Sequence, residues 1–375
     1  MRIMQVPVRF YPYIGGTEQL CFYLSKELVR RGHEVKVICA NEPPAEDGII
    51  EGIQVRRLPY RFKIANTNIT SYLYRELLRS DFDIIHTHLP HPWSADISVS
   101  VARKKNKPLF LTYHNDITGR GINRFIAGCY NFTALKFVLR QAQKIFITRG
   151  NYIQYSSFLR PFAQKIVVTP PGVNLDKFRP MNLTNDTGKH VIFFLSRLDR
   201  FHRYKGLEYL LQAVKKIKDK FPIQLNIGGE GELMEYYKML AKEYGLQDFV
   251  AFLGKLQDEQ LVKCYNLCDV FVLPSVSATQ EGFGLVALEA MACKKPIIVT
   301  EIVGVAEEVK INNFGLVVKS SNVDELSHAL EYLLSHKDKA REMGEKAYAT
   351  VRNKYTWENH VDIVENEYKK AIRVY

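Results

Sequence analysis

Two glutamates interrupt the stretch QEGFGLVALEAMACKKP, residues 280–296. Glu281 stands in the turn and Glu289 amid Leu-Val-Ala-Leu and Ala-Met-Ala. A carboxylate in apolar company needs a donor or a cation, and the neighbouring residues offer none. Between the two acids, EGFG opens a helix. Gly282 and Gly284 let the backbone come close to a ligand, and the first amides of the helix, Phe283 and Leu285 among them, point outward where the dipole favours negative charge. That arrangement suits a phosphate; a plain glycine turn is the alternative. Arg197 and Lys205 in SRLDRFHRYKG add an arginine fork and a mobile lysine, the usual grip on a diphosphate, or else two solvated surface charges. His86, His88 and His91 in HTHLPHPW, with His114 further on, allow a metal centre or a row of hydrogen-bonding groups.

The elements that must hold these residues can be read from hydropathy. In the first half RIMQV, EVKVICA, IQVRRL, DIIHTH, LFLTYH, KIFITR and KIVVTPP read as strands, with helix-period stretches such as TEQLCFYLSKELVRRG between them and Thr17 as its N-cap. The second half repeats the plan with HVIFFLS, IQLNIGG, FVAFLG, VFVLPS, PIIVT and GLVVK, and GLEYLLQAVKKIKDKF puts Leu207, Leu210, Leu211, Val214 and Ile217 on one helical face. Apolar strands alternating with helices imply parallel sheets covered on both faces. The expected architecture is α/β, two doubly wound Rossmann-like domains: residues 1–172, a polar linker at 173–188, and residues 189–356, with a last helix at 357–375 packing back on the first domain. Ligands bind such sheets beyond the carboxyl ends of the strands, so a cleft between the domains is the expected site. Gly15 and Gly16, His86 and His88, His114 and Asp116, Arg197 and the EGFG turn all follow strands in this reading.

Taken together, SRLDRFHRYKGLEYLL, NIGGEGE, VFVLPS and EGFGLVALEAMACKKPIIVT resemble the donor half of family 4 retaining glycosyltransferases, which have the GT-B fold. The resemblance runs over nearly the whole chain, through YIGGTEQ, DIIHTH, TYHND and PPGVNLDKFRP in order, and Glu281 and Glu289 fit that family's E-x7-E pattern. It implies transfer of a hexosyl group from a nucleotide sugar, a UDP- or GDP-sugar, to a hydroxyl. Arg197 and Lys205 would hold the donor diphosphate, with Gly15, Gly16 and the turn Gly282-Phe283-Gly284-Leu285 beside them. Glu289 would bind the ribose, Glu281 the transferred sugar, and His114 the sugar's other side from the opposite domain. A sugar or ribose supplies hydroxyl donors to an ionised carboxylate; a backbone hydrogen bond is the structural alternative for Glu289. The sequence departs from the family in two places. IVGVAEE keeps Gly304 but has Val303 where a first glycine is usual, and the spacing from Arg197 to Lys205 is longer than in many members.

In the mechanism so implied, Arg197, Lys205 and the helix start stabilise charge on the leaving diphosphate, so no cofactor or metal is required. A front-face transfer, in which the leaving phosphate oxygen takes the acceptor's proton, is the leading reading, and Asp116 is the second candidate for acceptor base. The tripeptide DFD at 81–83 resembles the metal-binding acids of the other glycosyltransferase fold but precedes its strand, at the wrong end of the sheet. A sugar-phosphate synthase or phosphorylase on the same fold, or a non-catalytic nucleotide-sugar-binding protein, are the alternatives. A dinucleotide fingerprint fails because GGEGELM has Met234 where the third glycine belongs.

Bulk properties agree with a globular enzyme. At 375 residues and 46% hydrophobic composition the chain can fill two cores. No run approaches an apolar membrane span and the N-terminus does not read as a signal peptide, so a cytoplasmic protein is expected. Cys21, Cys39, Cys129, Cys264, Cys268 and Cys293 have no CxxC spacing and read as free buried thiols. The net charge of +12 lies wholly in residues 1–172, which hold 24 Lys and Arg against 12 Asp and Glu. No nucleic-acid motif accompanies it. GINRFIAGCYNFTALKFVLRQAQK, 121–144, sets Ile122, Phe125, Ile126, Cys129, Tyr130, Phe137 and Val138 on one helical side beside Arg124, Lys136, Arg140 and Lys144, and RKKNK lies at 103–107. Many members of the family work on lipid-linked acceptors, so an anionic membrane surface is an expected partner, against core packing with a solvated basic face.

Overall fold

Strands such as LFLTY, VFVL and IIVT are buried at every residue, which commits them to sheets covered on both faces. A computed structural model describes residues 1–13, 15–64, 66–117 and 122–373. The chain forms two compact units, one of Met1–Pro171 with Trp357–Tyr375 and one of Gly172–Thr356. The first unit contains strands β1 (Arg2–Val6), β2 (Glu34–Ala40), β3 (Gly48–Ile50), β4 (Ile53–Leu58), β5 (Tyr60–Ile64), β6 (Thr67–Thr70), β7 (Ile84–Leu89), β8 (Leu109–Tyr113), β9 (Lys144–Ile147) and β10 (Ile166–Val168). Its main sheet runs β10-β9-β8-β7-β1-β2-β4-β3, parallel except for β3 against β4, while β5 and β6 form a separate hairpin. The helix Trp357–Ile372 belongs to this unit and buries Val361, Val364 and Tyr368 with Cys21, Leu24 and Leu28 of the helix Gly16–Arg30.

The second unit contains β11 (His190–Leu195), β12 (Ile223–Gly228), β13 (Val250–Gly254), β14 (Val270–Leu273), β15 (Ile297–Thr300) and β16 (Gly315–Val318). All are parallel, in the order β13-β12-β11-β14-β15-β16. The helix Leu207–Ile217 buries the expected face, Leu207, Leu210, Leu211, Val214 and Ile217.

Three expectations change. Residues 173–188 are not a linker free of both cores, because Val173 and Phe178 are buried in the second unit's core and the amide of Val173 bonds the carbonyl of Tyr355. The helix expected with Thr17 as N-cap begins two residues earlier, with Gly15 as N-cap in extended backbone and no side-chain cap. A Cβ on Gly15 would come within 2.4 Å of the Glu18 carboxylate, so the acid of the first turn and the glycine fit as a pair. His86 and His88 lie inside β7 rather than after it, and both are fully buried.

Candidate functional site

In the second unit the strand order reverses direction between β11 and β14, and beyond the carboxyl ends of such a pair a doubly wound sheet offers its binding crevice. The loop after β11 carries Arg197 and, on the 3-10 turn Arg203–Lys205, Lys205. The loop after β14 carries Ser275 and Glu281. Two close approaches bind these loops together. Gly206 has φ +79° and a Cβ there would lie 2.0 Å from the carbonyl oxygen of Pro274, so only glycine brings the turn against the end of β14. The amide of Val276 then donates to the carbonyl of Tyr204 over 2.7 Å.

The result is a buried ion pair. Lys205 Nζ donates to Glu281 Oε2 at 2.8 Å and the Ser275 hydroxyl donates to the same oxygen at 2.6 Å. The Ser275 carbonyl is itself held by the Thr300 hydroxyl at 2.7 Å. Glu281 is 2% exposed. Burial alone would lower the Lys205 pKa, but Glu281 and the Tyr204 hydroxyl beside it outweigh that and hold it above the usual lysine range. Lys205 is a permanent cation there. Arg197 is half exposed, its Nε 3.0 Å from Asp199 Oδ2, and Asp199 Oδ1 also accepts from the amides of Phe201 and His202.

Gly284 caps the helix Leu285–Ala292 at φ +90° with no side-chain cap; the amide of Ala287 donates to the Gly284 carbonyl, and those of Leu285 and Val286 have no intrahelical acceptor. A Cβ on Gly284 would meet Leu273 at 2.7 Å and Val303 at 3.0 Å. Val303, the departure from the family pattern, is therefore a packing residue under the helix start. The amides of Val303 and Gly304 are taken by the carbonyls of Thr300 and Phe283. Within the helix, Glu289 Oε2 accepts from the Tyr265 hydroxyl at 2.7 Å. Burial pushes its pKa up to about 7 against the pull of that hydroxyl and of Lys177. Both glutamates thus have partners within the protein: Lys205 and Tyr265 come from other elements, and Ser275 comes from Glu281's own loop. Tyr265 carries no local signal, since it reaches Glu289 from the helix Asp258–Leu267.

In the first unit, a Cβ on Gly16 would meet nothing, so the start of the helix Gly16–Arg30 is open there. His114 follows β8 and is half buried, with Nε2 3.5 Å from His88 Nδ1. Burial lowers the pKa of His86, His91 and His114 to about 3; neighbouring histidines add to it for all three, and Arg9 does so for His91. Both ring nitrogens of His86 are engaged, by Tyr368 at 2.5 Å and Thr112 at 2.8 Å. Among the described residues no group of three or more His, Cys, Asp or Glu is placed to hold a metal. Asp116 is buried, and its Oδ1 accepts from the hydroxyls of Tyr113 at 2.8 Å and Ser156 at 2.7 Å. Its amide donates to the Tyr152 hydroxyl. These bonds brace the loop after β8, and they account for the buried carboxylate without an acceptor substrate. Asp81 and Asp83 of DFD pair with Arg2.

Comparison with known proteins places this geometry. The family model "Glycosyltransferase Family 4" matches residues 14–177 and "Glycosyl transferases group 1" matches residues 177–350. O-antigen chain mannosyltransferase C of Escherichia coli is 27% identical over 382 residues, 98% of each chain. Among solved structures, sucrose-phosphate synthase from Thermosynechococcus elongatus superposes with a TM-score of 0.80 at 23% identity, covering 100% of both chains. Anabaena Alr3699/HepE in complex with UDP has a TM-score of 0.77 at 16% identity, covering 99% of this chain and 100% of its own. The fold is GT-B, and the chain is a transferase.

The two glutamates make a testable contrast. Because the folded-state pKa of Glu289, about 7, lies above its ordinary 4.5, the stability it contributes is full below pH 4.5 and lost as pH rises through 7, a fall of about 3 kcal/mol. Urea unfolding of Glu289→Gln should lack that decline between about pH 4.5 and pH 8. Parallel pH curves for variant and parent would refute it.

Proposed function

We propose that this chain, which belongs to the family 4 glycosyltransferases, moves a hexosyl group from a nucleoside diphosphate sugar to a hydroxyl acceptor and keeps the anomeric configuration. The observation that carries the reading is the Lys205–Glu281 pair at the switch point, beside an uncapped helix start. A fixed cation and open amides are what a leaving diphosphate needs as the bond from the anomeric carbon to its oxygen breaks. The acceptor oxygen then bonds the same face of that carbon and its proton passes to the departing phosphate oxygen. Glu281 accepts from hydroxyls of the transferred sugar, Glu289 from the ribose, and His114 is assigned to the same sugar. Arg197 and Lys205 provide the positive charge, so the reaction as proposed requires no metal, and Asp116 takes no part as base. UDP bound to Anabaena HepE supports a nucleotide donor, and the E. coli mannosyltransferase supports a hexose. A thermal-shift panel of UDP, GDP, ADP and their sugars should raise the melting point for one base series, by the equivalent of about 2.7 kcal/mol at a hundredfold excess over Kd. No shift with any nucleotide would contradict the reading.

We further propose a lipid-linked acceptor met at an anionic, cytoplasmic membrane face. No helix among the described residues is long and apolar enough to cross a membrane. The stretch expected as one amphipathic helix is two, Ile122–Phe132 and Ala134–Gln141, and the side chains of residues 122–124 lie outside the described ones. Phe125 and Phe132 are 73% and 70% exposed. Lys136 lies over the Phe132 ring and Arg103, of the RKKNK cluster, over Phe137. Exposed aromatic rings among cations suit a headgroup layer. Liposome flotation should depend on anionic lipid and weaken with Phe125→Ser and Phe132→Ser together; binding indifferent to lipid charge would end this part of the reading.

A further inference from the structure

One face of the first unit's sheet carries a polar row at its carboxyl end. Gln5 of β1 is in register with His86 of β7, and His88 with Thr112 of β8. All four are at most 2% exposed. Ile3, Phe110 and Phe146 surround the row, and the Tyr368 hydroxyl meets His86 within it. A buried amide among such residues is costly unless it is hydrogen-bonded. Gln5 Oε1 lies 3.0 Å from His88 Nε2, and His88 Nδ1 lies 3.5 Å from His114 Nε2. The His88 and His114 rings are inclined by only 24° with centroids 5.7 Å apart.

Burial keeps these imidazoles neutral, so each has one N–H and one lone pair, and the only chemical freedom left is which nitrogen holds the proton. A glutamine oxygen can only accept, which puts the His88 proton on Nε2 and leaves Nδ1 as a lone pair. That lone pair can in turn only accept, which puts the His114 proton on Nε2. We infer that Gln5 and His88 are positioning residues that fix the tautomer of His114, so that it presents Nδ1 as a hydrogen-bond acceptor to a hydroxyl of the transferred sugar. The last clause rests on the proposed transfer reaction; the tautomer itself does not.

Long-range proton–nitrogen spectra of the full chain labelled with 15N-histidine, recorded without any donor, test it directly, with His88→Gln and His114→Gln used to assign signals. The expected result is a protonated Nε2 and a pyridine-type Nδ1 for His114, with both histidines moving toward tautomer-averaged shifts in Gln5→Leu. A protonated Nδ1 on His114 in the parent protein overturns the inference, and so does an unchanged pattern in Gln5→Leu. If Gln5→Leu does not fold, the parent spectrum alone decides. Because no donor is present, failure of the transfer reading leaves this result untouched. The expected tautomer together with full transferase turnover in His114→Ala would instead overturn the sugar-facing role.

Discussion

A carboxylate shut away from water must find a cation or several donors, and the second unit is built around meeting that demand for Glu281. The penalty for removing one partner of a buried pair is about 3–5 kcal/mol, so each group that brings Lys205 to Glu281 is under the same constraint. Gly206 is there because Pro274 leaves no room for a Cβ. Ser275 donates to the same oxygen, and Thr300 steadies Ser275 through its carbonyl. The Gly229 turn packs as closely on the loop that holds Arg197, where a Cβ would approach the Ser196 carbonyl oxygen to 1.8 Å. The motif glycines are thus the points at which two loops touch, and the charged residues stand where those contacts put them.

The two glutamates of one short stretch have different electrostatics for this reason. Glu281 faces a lysine and a hydroxyl, whereas Glu289 has one tyrosine hydroxyl and is pushed toward neutrality. A ligand with hydroxyl groups would add donors to Glu289 and favour its ionised form. Binding of such a ligand at that helix would release a proton from Glu289, while Lys205 stays charged.

Much of this was legible in the sequence where it depended on local pattern. The apolar strands, the amphipathic helix Leu207–Ile217 and the glycine-opened helix before Leu285 follow from periodicity and backbone freedom. What was not legible depended on contacts distant along the chain. Tyr265 and Glu289 meet across two helices, and Lys205 and Glu281 are brought together by a glycine whose role shows only against Pro274. Residues 173–188 read as a linker because Pro and Asn hide the fact that Val173 and Phe178 enter a core. The hairpin β5/β6 escaped because every residue of β5 is at least partly exposed, which leaves no apolar run to detect. Gln5 did carry a signal, a lone amide inside RIMQV.

Whether the Lys205–Glu281 pair serves the donor proposed above is tested by replacing both partners at once. Exchange of a buried pair for neutral groups of similar shape is often close to neutral in stability, so Lys205→Met with Glu281→Gln separates folding from binding. Calorimetric titration of that double variant with the cognate nucleoside diphosphate sugar should show at least a tenfold loss of affinity at a nearly unchanged melting point. Parental affinity in a protein that has lost several kcal/mol of stability would contradict the account.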